Sequence, residues 1–260
     1  MTQPMRIDLN ADLGEGFGPW KMGDDLAMLD IVTSASIACG GHAGDSDTMF
    51  HTVSAAAKAG VTVGAHPGFE DKKGFGRRRL PLSERDIERL VASQVGALRG
   101  IAALAGTHVA YVKPHGALGN WAAEDRAVAN AIARAVKAVM PEHPRVLAIA
   151  GSELVKAADA HHIVAVCEIF ADRGYTAQGG LIPRGQAGDL IHDVPFAIER
   201  LAQFIQTGRM PTHDGGEVEL RAESICVHGD SAVAVQMAKG VRDGLQQAGV
   251  AIQPFCHATE

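Results

Sequence analysis

The sequence predicts an α/β barrel: seven parallel strands closed into a ring and surrounded by helices, in a single domain spanning residues 1–260. Two observations point to it. Short β-branched runs alternate with helical patterns along nearly the whole chain, and polar clusters follow all but one of the strand candidates. An open doubly wound sheet gathers its site at one switch point, whereas a barrel draws functional groups from the C-terminal ends of many strands. The spread of polar residues therefore favours the barrel. The sequence also lacks GxGxxG in the first turn and GxxxxGK[ST] anywhere, which removes the main supports of a dinucleotide or P-loop fold.

Taken in order, the strand candidates are Arg6 to Leu9, Ala35 to Ala38, Val61 to Ala65, Ala110 to Lys113, Arg145 to Ala150, Ile163 to Ile169 and Ser224 to His228. Asp8, Asn10 and Asp12 accompany the first, Cys39 and His42 the second and His66 the third. Lys113 and His115 follow the fourth, Glu168 and Asp172 the sixth, and His228 and Asp230 the seventh. Between strands, Ser46 to Ala59 reads as a helix with Met49, Phe50, Val53 and Ala57 inward. Ser83 is the expected N-cap of a helix whose inward face carries Ile87, Leu90, Val91, Val95, Leu98, Ala102 and Ala105. A third helix starts at Ser231, with Val233, Ala234, Met237, Val241 and Leu245 inward.

Composition narrows the function. The chain is 47% hydrophobic and 21% charged, ordinary globular usage, and its net charge of −6 offers no basic field for a nucleic-acid backbone. No segment reads as a signal peptide or a membrane span, so a cytoplasmic protein that binds neither membrane nor nucleic acid is expected. Four dispersed cysteines, Cys39, Cys167, Cys226 and Cys256, form no CxxC pair and read as buried free thiols. Two Trp and two Tyr against 30 Gly argue against an aromatic sugar-stacking surface.

Four of the twelve histidines, His42, His66, His115 and His228, sit beside Gly or Pro at strand ends, in GGHAGD, AHPGF, KPHGA and VHGD. Glycine there lets the backbone turn sharply and approach a ligand, and four such segments converging on one face point to a site. The other eight lie on helix faces or in polar connections, where surface residence is the default. Along the first strand, Asp8, Asn10 and Asp12 alternate and project to one side, with Glu15 just beyond. A buried carboxylate needs a compensating partner, and Lys113 is the natural counter-charge. In GFGRRRL, Arg77 is placed to grip a carboxylate or phosphate, while Arg79 reads as part of a solvated patch. The longest connection, 26 residues from Glu168 to Asp193, has little periodicity and reads as a binding loop. Its Glu168, Asp172, Arg173, Tyr175 and Arg184 would line a pocket for an amino-acid-like ligand.

DLNADLGEGFG, SIACGGHAGD, VGAHPGFEDKKGFGRR, YVKPHGAL, EIFADRGY with GGLIPRG, and ICVHGD together resemble the LamB/YcsF family, in that order and from about Arg6 to about Pro254. Ser36, where the family more often has Asn, and Gly119, where an aromatic usually follows KPHGAL, depart from the pattern. The resemblance implies a TIM-like barrel of the glycoside hydrolase/deacetylase type. It further implies the reaction 5-oxo-L-proline + ATP + 2 H2O → L-glutamate + ADP + phosphate, with ATP as co-substrate, run with partner 5-oxoprolinase subunits B and C. On this reading Asp12, His42, His66, Lys113 and His115 are catalytic. Asn10, Glu15, Arg77, Glu168, Asp172, Arg173, Arg184 and His228 bind the small-molecule substrate. Homo-oligomers remain compatible with it. Two alternatives stand beside it: a metal-dependent deacetylase in which Asp12, His42 and His66 hold a divalent metal that activates water, and a non-catalytic substrate-binding subunit.

Overall fold

The computed structural model describes residues 5–228 and 232–256. In it, β1 (Arg6–Leu13), β2 (Ser34–Ala38), β3 (Thr62–His66), β4 (Tyr111–Val112), β5 (Arg145–Ile149) and β6 (Val164–Phe170) pair in sequence order, all parallel. A short antiparallel hairpin, β7 (Arg209–Pro211) and β8 (Glu217–Glu219), precedes β9 (Ser224–Cys226). Because β9 pairs with both β6 and β1, it closes a ring of seven strands. The last strand, β10 (Ala251–Ile252), adds beside the first residues of β1.

Helices pack around the ring: α1 (Asp25–Leu29), α2 (Ser46–Ala59), α3 (Glu84–Leu104), α4 (Gly116–Glu124), α5 (Arg126–Val139), α6 (Glu153–Ala160), α7 (Val194–Thr207) and α8 (Ala232–Gln247). Ser83 caps α3 in a full capping box with Asp86, and the expected apolar stripe from Ile87 to Ala102 is buried. On α2, however, Thr52 and Ala56 turn inward with Met49 and Val53, while Ala57 is exposed and Phe50 half-buried. The 100° step per residue puts 49, 52, 53 and 56 on one face. Met237, Val241 and Leu245 of α8 are buried as expected. Asp230, Ser231, His257 and the side chain of Val233 lie outside the described residues. Among the described residues no helix is long and apolar enough to cross a membrane.

Each expected strand exists, but β1 runs on to Leu13 instead of stopping at Leu9. Polar residues continue the strand there because the barrel interior that receives them is itself polar. Strand side chains alternate between faces, and the register matches Asp12 with Ser36, Asn10 with both Ser34 and Cys226, Asp8 with Ser224, and Gly64 with Tyr111. These alternate positions, with His66, Lys113, Glu168 and His228, share the interior. The opposite positions, such as Leu9, Ala11, Ile37, Val63, Val112 and Ile169, are buried in the apolar core. Tyr111, Leu147, Val166 and Cys256 form a separate apolar cluster with Phe255 packed against it.

Candidate active site

Lys113 organises the mouth of the barrel. Its ammonium, 3% exposed, donates to Asn10 Oδ1 at 2.9 Å and Asp12 Oδ1 at 3.0 Å, lies 3.0 Å from Glu168 Oε2, and contacts Cys226 Sγ at 3.2 Å. Burial alone would lower its pKa, but Asp12, Cys226 and Glu168 raise it well above the usual lysine range. Burial likewise opposes ionisation of Asp12, yet His66 and Lys113 hold its carboxyl well below the ordinary value. Glu168 moves the other way, up, because burial and the Asp12 charge outweigh Lys113. One layer lower, Asn10 donates to Ser224 Oγ at 2.8 Å and Glu168 Oε2 at 3.3 Å. Asp8 accepts from the hydroxyls of Thr33, Ser34 and Ser224, and burial pushes its pKa up to about 6.

Three imidazoles stand beside this ion cluster. His66 Nδ1 lies 2.7 Å from the Lys113 carbonyl and His115 Nε2 lies 2.8 Å from the Phe75 carbonyl. A carbonyl can only accept, so both of those nitrogens carry hydrogen. The remaining nitrogens, His66 Nε2 and His115 Nδ1, face each other at 3.0 Å as two acceptors. Asp12 Oδ2 is 3.3 Å from the first and Glu15 Oε1 is 3.5 Å from the second. A cation therefore belongs between them, whether a shared proton or a metal ion. His42 stacks on His115 at 3.6 Å with an interplanar angle of 7°, and its Nε2 lies 3.1 Å from Glu15 Oε1. Burial, with neighbouring imidazoles, lowers the pKa of both His42 and His115. Glu15 is raised by burial and by Asp12.

Across the mouth, His228 Nδ1 is 2.6 Å from Asp172 Oδ2. Burial opposes the imidazolium, but Asp172 outweighs it and raises the His228 pKa. Asp172 itself is held below the ordinary carboxylate value, burial being overcome by His228. The two residues form an aspartate–histidine dyad of the kind that orients one ring nitrogen toward a substrate.

A cavity of about 570 Å³ opens over these groups, with Asp12, Glu15, His66, Lys113, His115, Glu168 and His228 along its walls. Arg77 and Arg184 are exposed on its rim, Arg77 also lying 5.4 Å over the Phe75 ring. Other predicted residues stand behind this surface. Asn10 is completely buried below Lys113, and His42 lies behind His115. Arg173 borders the cavity, but its guanidinium is spent on the carbonyls of Ile182 and Asp189, which shape its own loop. Tyr175 is fully buried, its hydroxyl accepting from the Phe170 N–H. The 26-residue connection thus begins inside β6 and is folded on itself, bridged at Arg173–Leu190 and Tyr175–Leu181. Arg79 is not simply solvated, since it lies 3.6 Å over the Trp121 ring. All four cysteines are buried.

At the two departures, Ser36 Oγ meets Tyr111 Oη at 3.1 Å, and a Cβ at Gly119 would lie 2.5 Å from the Pro114 carbonyl oxygen. Sequence reasoning missed Ser224 and Cys226, although their even spacing from His228 was a usable signal. It also missed Gln94, the polar member of the buried stripe of α3, and Arg200, whose guanidinium donates to the carbonyls of Phe170, Ala171 and Arg173.

The imidazole and carboxylate cluster offers ligands of the type divalent transition metals take. Glu15, His42, His66 and His115 each present one donor atom, all within 4.8 Å of one another. Two nitrogens each about 2.1 Å from one ion would subtend roughly a right angle at the separation seen here. The residues fit a metal. It keeps His42 and His66 of the expected Asp12, His42 and His66 and adds Glu15 and His115, while Asp12 falls in a second such group with Cys226 and His228.

Fold and site together define a TIM-like barrel with an acid–base cluster at the C-terminal ends of its strands. The chain belongs to the LamB/YcsF family, whose model matches residues 7–260. It is 49% identical over 249 residues to an A subunit of 5-oxoprolinase from Pseudomonas syringae pv. tomato, covering 96% of this chain and 97% of that one. It is 50% identical over 249 residues to the 5-oxoprolinase A subunit of Azorhizobium caulinodans, covering 96% and 98%. Among solved structures, a lactam utilization protein from Thermus thermophilus superposes with a TM-score of 0.91 at 39% identity, over 96% of this chain and 100% of that one.

Proposed function

We propose that this chain is the A subunit of a cytoplasmic ATP-dependent 5-oxoprolinase, acting as one domain with partner subunits B and C to open 5-oxo-L-proline to L-glutamate. The observation that carries the reading is the Lys113 ammonium on the cavity wall, held between Asp12 and Glu168 with histidines on either side. The near-full-length likeness to proteins of that name supports it.

An unstrained lactam is a poor electrophile and an amine a poor leaving group, so the reaction needs activation at oxygen and a proton at nitrogen. Phosphoryl transfer from ATP to the lactam oxygen supplies the first. Water then adds at the ring carbonyl carbon, the C–N bond breaks to give an acyl phosphate, and a second water releases glutamate and phosphate. Asp12, held ionised beside Lys113, orients the attacking water by accepting a hydrogen bond from it. Lys113 faces the developing negative oxygen, where a buried ammonium stabilises charge without reorganising. His228, whose imidazolium Asp172 favours, delivers a proton from Nε2 to the departing ring nitrogen. Arg77 and Arg184 on the rim attract the substrate carboxylate or phosphoryl group.

The converging acceptors of His66 and His115 favour a second component of the reading, a divalent metal held by Glu15, His42, His66 and His115. Such an ion would polarise a bound water and lower its pKa. The deciding experiment purifies this chain with B and C and follows glutamate release, with metal content measured in parallel. ATP-dependent release only in the three-protein mixture is expected. No release from that mixture would refute the assignment.

A further inference from the structure

We infer that Gln94 is a positioning residue that sets the geometry of the His42–His115 stack. It rests on the proposed function only in taking those imidazoles as working parts of the site. Gln94 belongs to α3, 6% exposed among Leu90, Val91, Val95 and Leu98. A polar amide in an apolar stripe costs stability unless both of its ends are paired. Here both are, and to one residue. The Gln94 amide donates to the Gly68 carbonyl at 2.7 Å, and its oxygen accepts from the Gly68 N–H at 3.0 Å. The side chain therefore pairs with Gly68 as a strand neighbour would.

That pairing fixes three catalytic loops at once. A Cβ on Gly41, next to His42, would lie 2.5 Å from both Gln94 Nε2 and the Gly68 carbonyl oxygen, so the loop after β2 is seated directly on the Gln94–Gly68 pair. A Cβ on Gly68 would fall 2.6 Å from His42 Nδ1 and 3.2 Å from His115 Cβ. The loop after β4 joins them, since the His115 N–H donates to the carbonyl of Pro67, one residue before Gly68. Moving Gly68 thus displaces His42 and His115 together, and with them the nitrogen that faces His66. Gln94 does not itself line the cavity, so its effect runs through these loops.

The test replaces Gln94 by Leu, which keeps the volume and removes both hydrogen bonds. Val95→Ala, on the same buried face and without a side-chain hydrogen bond to lose, serves as the control for lost stability. Two readouts are taken per folded molecule: kcat and KM of the complex with B and C, and the imidazole 15N spectrum of this chain, which reports which ring nitrogen carries hydrogen. Gln94→Leu should lower kcat by on the order of tenfold to a hundredfold, the scale on which misplaced groups cost rate, with KM changed by less than about threefold. Its spectrum should show His115 no longer held as the Nε2–H tautomer. Val95→Ala should lower the melting temperature and leave kcat and the spectrum alone. If Gln94→Leu does not fold, Gln94→Met, which matches the side-chain shape and likewise removes both hydrogen bonds to Gly68, is read instead, and the same loss of kcat and tautomer is expected. Unchanged kcat and an unchanged spectrum in the folded variant overturn the inference. Should the wild-type complex release no glutamate, the functional assignment fails, and the spectra alone decide the role of Gln94.

Discussion

Lys113 and Asp12 share one hydrogen bond and two opposite demands. Burial would discharge either alone, and each keeps the other ionised. Asp12→Asn preserves shape while removing the charge, so kcat should fall on the order of a hundredfold or more, the usual size of an acid–base contribution. Lys113→Met should do comparable damage and also cost stability, because Asp12 and Glu168 are left as neighbouring buried carboxylates. Measuring kcat per folded molecule beside a melting curve separates the two effects; near-normal turnover in both variants would remove the pair from the mechanism. The Asp172–His228 dyad carries a pH prediction. Asp172 raises the His228 pKa, so Asp172→Asn should lower it. If His228 is the proton donor to the ring nitrogen, the alkaline limb of the kcat profile moves to lower pH. An unmoved limb would take His228 out of that role.

Among the elements, the connection from β6 to α7 is tied down at its start by a side chain of the helix that follows it. Arg200, on α7, gathers the carbonyls of Phe170, Ala171 and Arg173 with bonds of 2.7 to 2.9 Å. Asp172 lies between two of those carbonyls. Arg200→Leu strands three buried acceptors, and hydrogen bonds to charged groups contribute roughly 1.5–3 kcal/mol each. Faster amide hydrogen exchange is expected across residues 171–193, with slower exchange in β1 and β2 unaffected. Uniform exchange changes throughout the chain would mean that Arg200 supports the whole fold and not this loop in particular.

For the whole molecule, a polar barrel interior makes stability depend on pH. Asp8 has a folded pKa of about 6, above the ordinary 3.8, so the folded state prefers its protonated form. Its contribution is fully present below pH 3.8 and is lost as pH rises to about 6 and above. A shift of that size corresponds to about 3 kcal/mol. Asp12 has the opposite sign, its stabilising effect being lost only as pH falls below the ordinary carboxylate range. The two windows do not overlap. Asp8→Asn should therefore flatten the wild-type fall in urea midpoint between about pH 4 and pH 6.5. An identical slope in the variant would place the pH dependence elsewhere.

Alternation of strands and helices, the capped stripe of α3 and the glycine-flanked histidines at strand ends were all legible from residue order, because local periodicity and turn chemistry act over a few residues. The two-residue period likewise put Asp8, Asn10 and Asp12 on one face. What periodicity could not supply was depth. Asn10 and His42 carry the same kinds of polar group as Asp12 and His115, yet they sit one layer behind them, since depth depends on the register between strands and on how far each loop folds over the mouth. Arg173 turned to backbone carbonyls for the same reason: its long loop had no period to read, and its own folding set where the guanidinium could reach. The pairing of Gln94 with Gly68, the tether from Arg200, and the facing acceptors of His66 and His115 join residues far apart in sequence. Packing of neighbouring strands and helices brings these within hydrogen-bonding distance, and closure of the barrel through β9 and β1 does the same for Asn10 and Ser224.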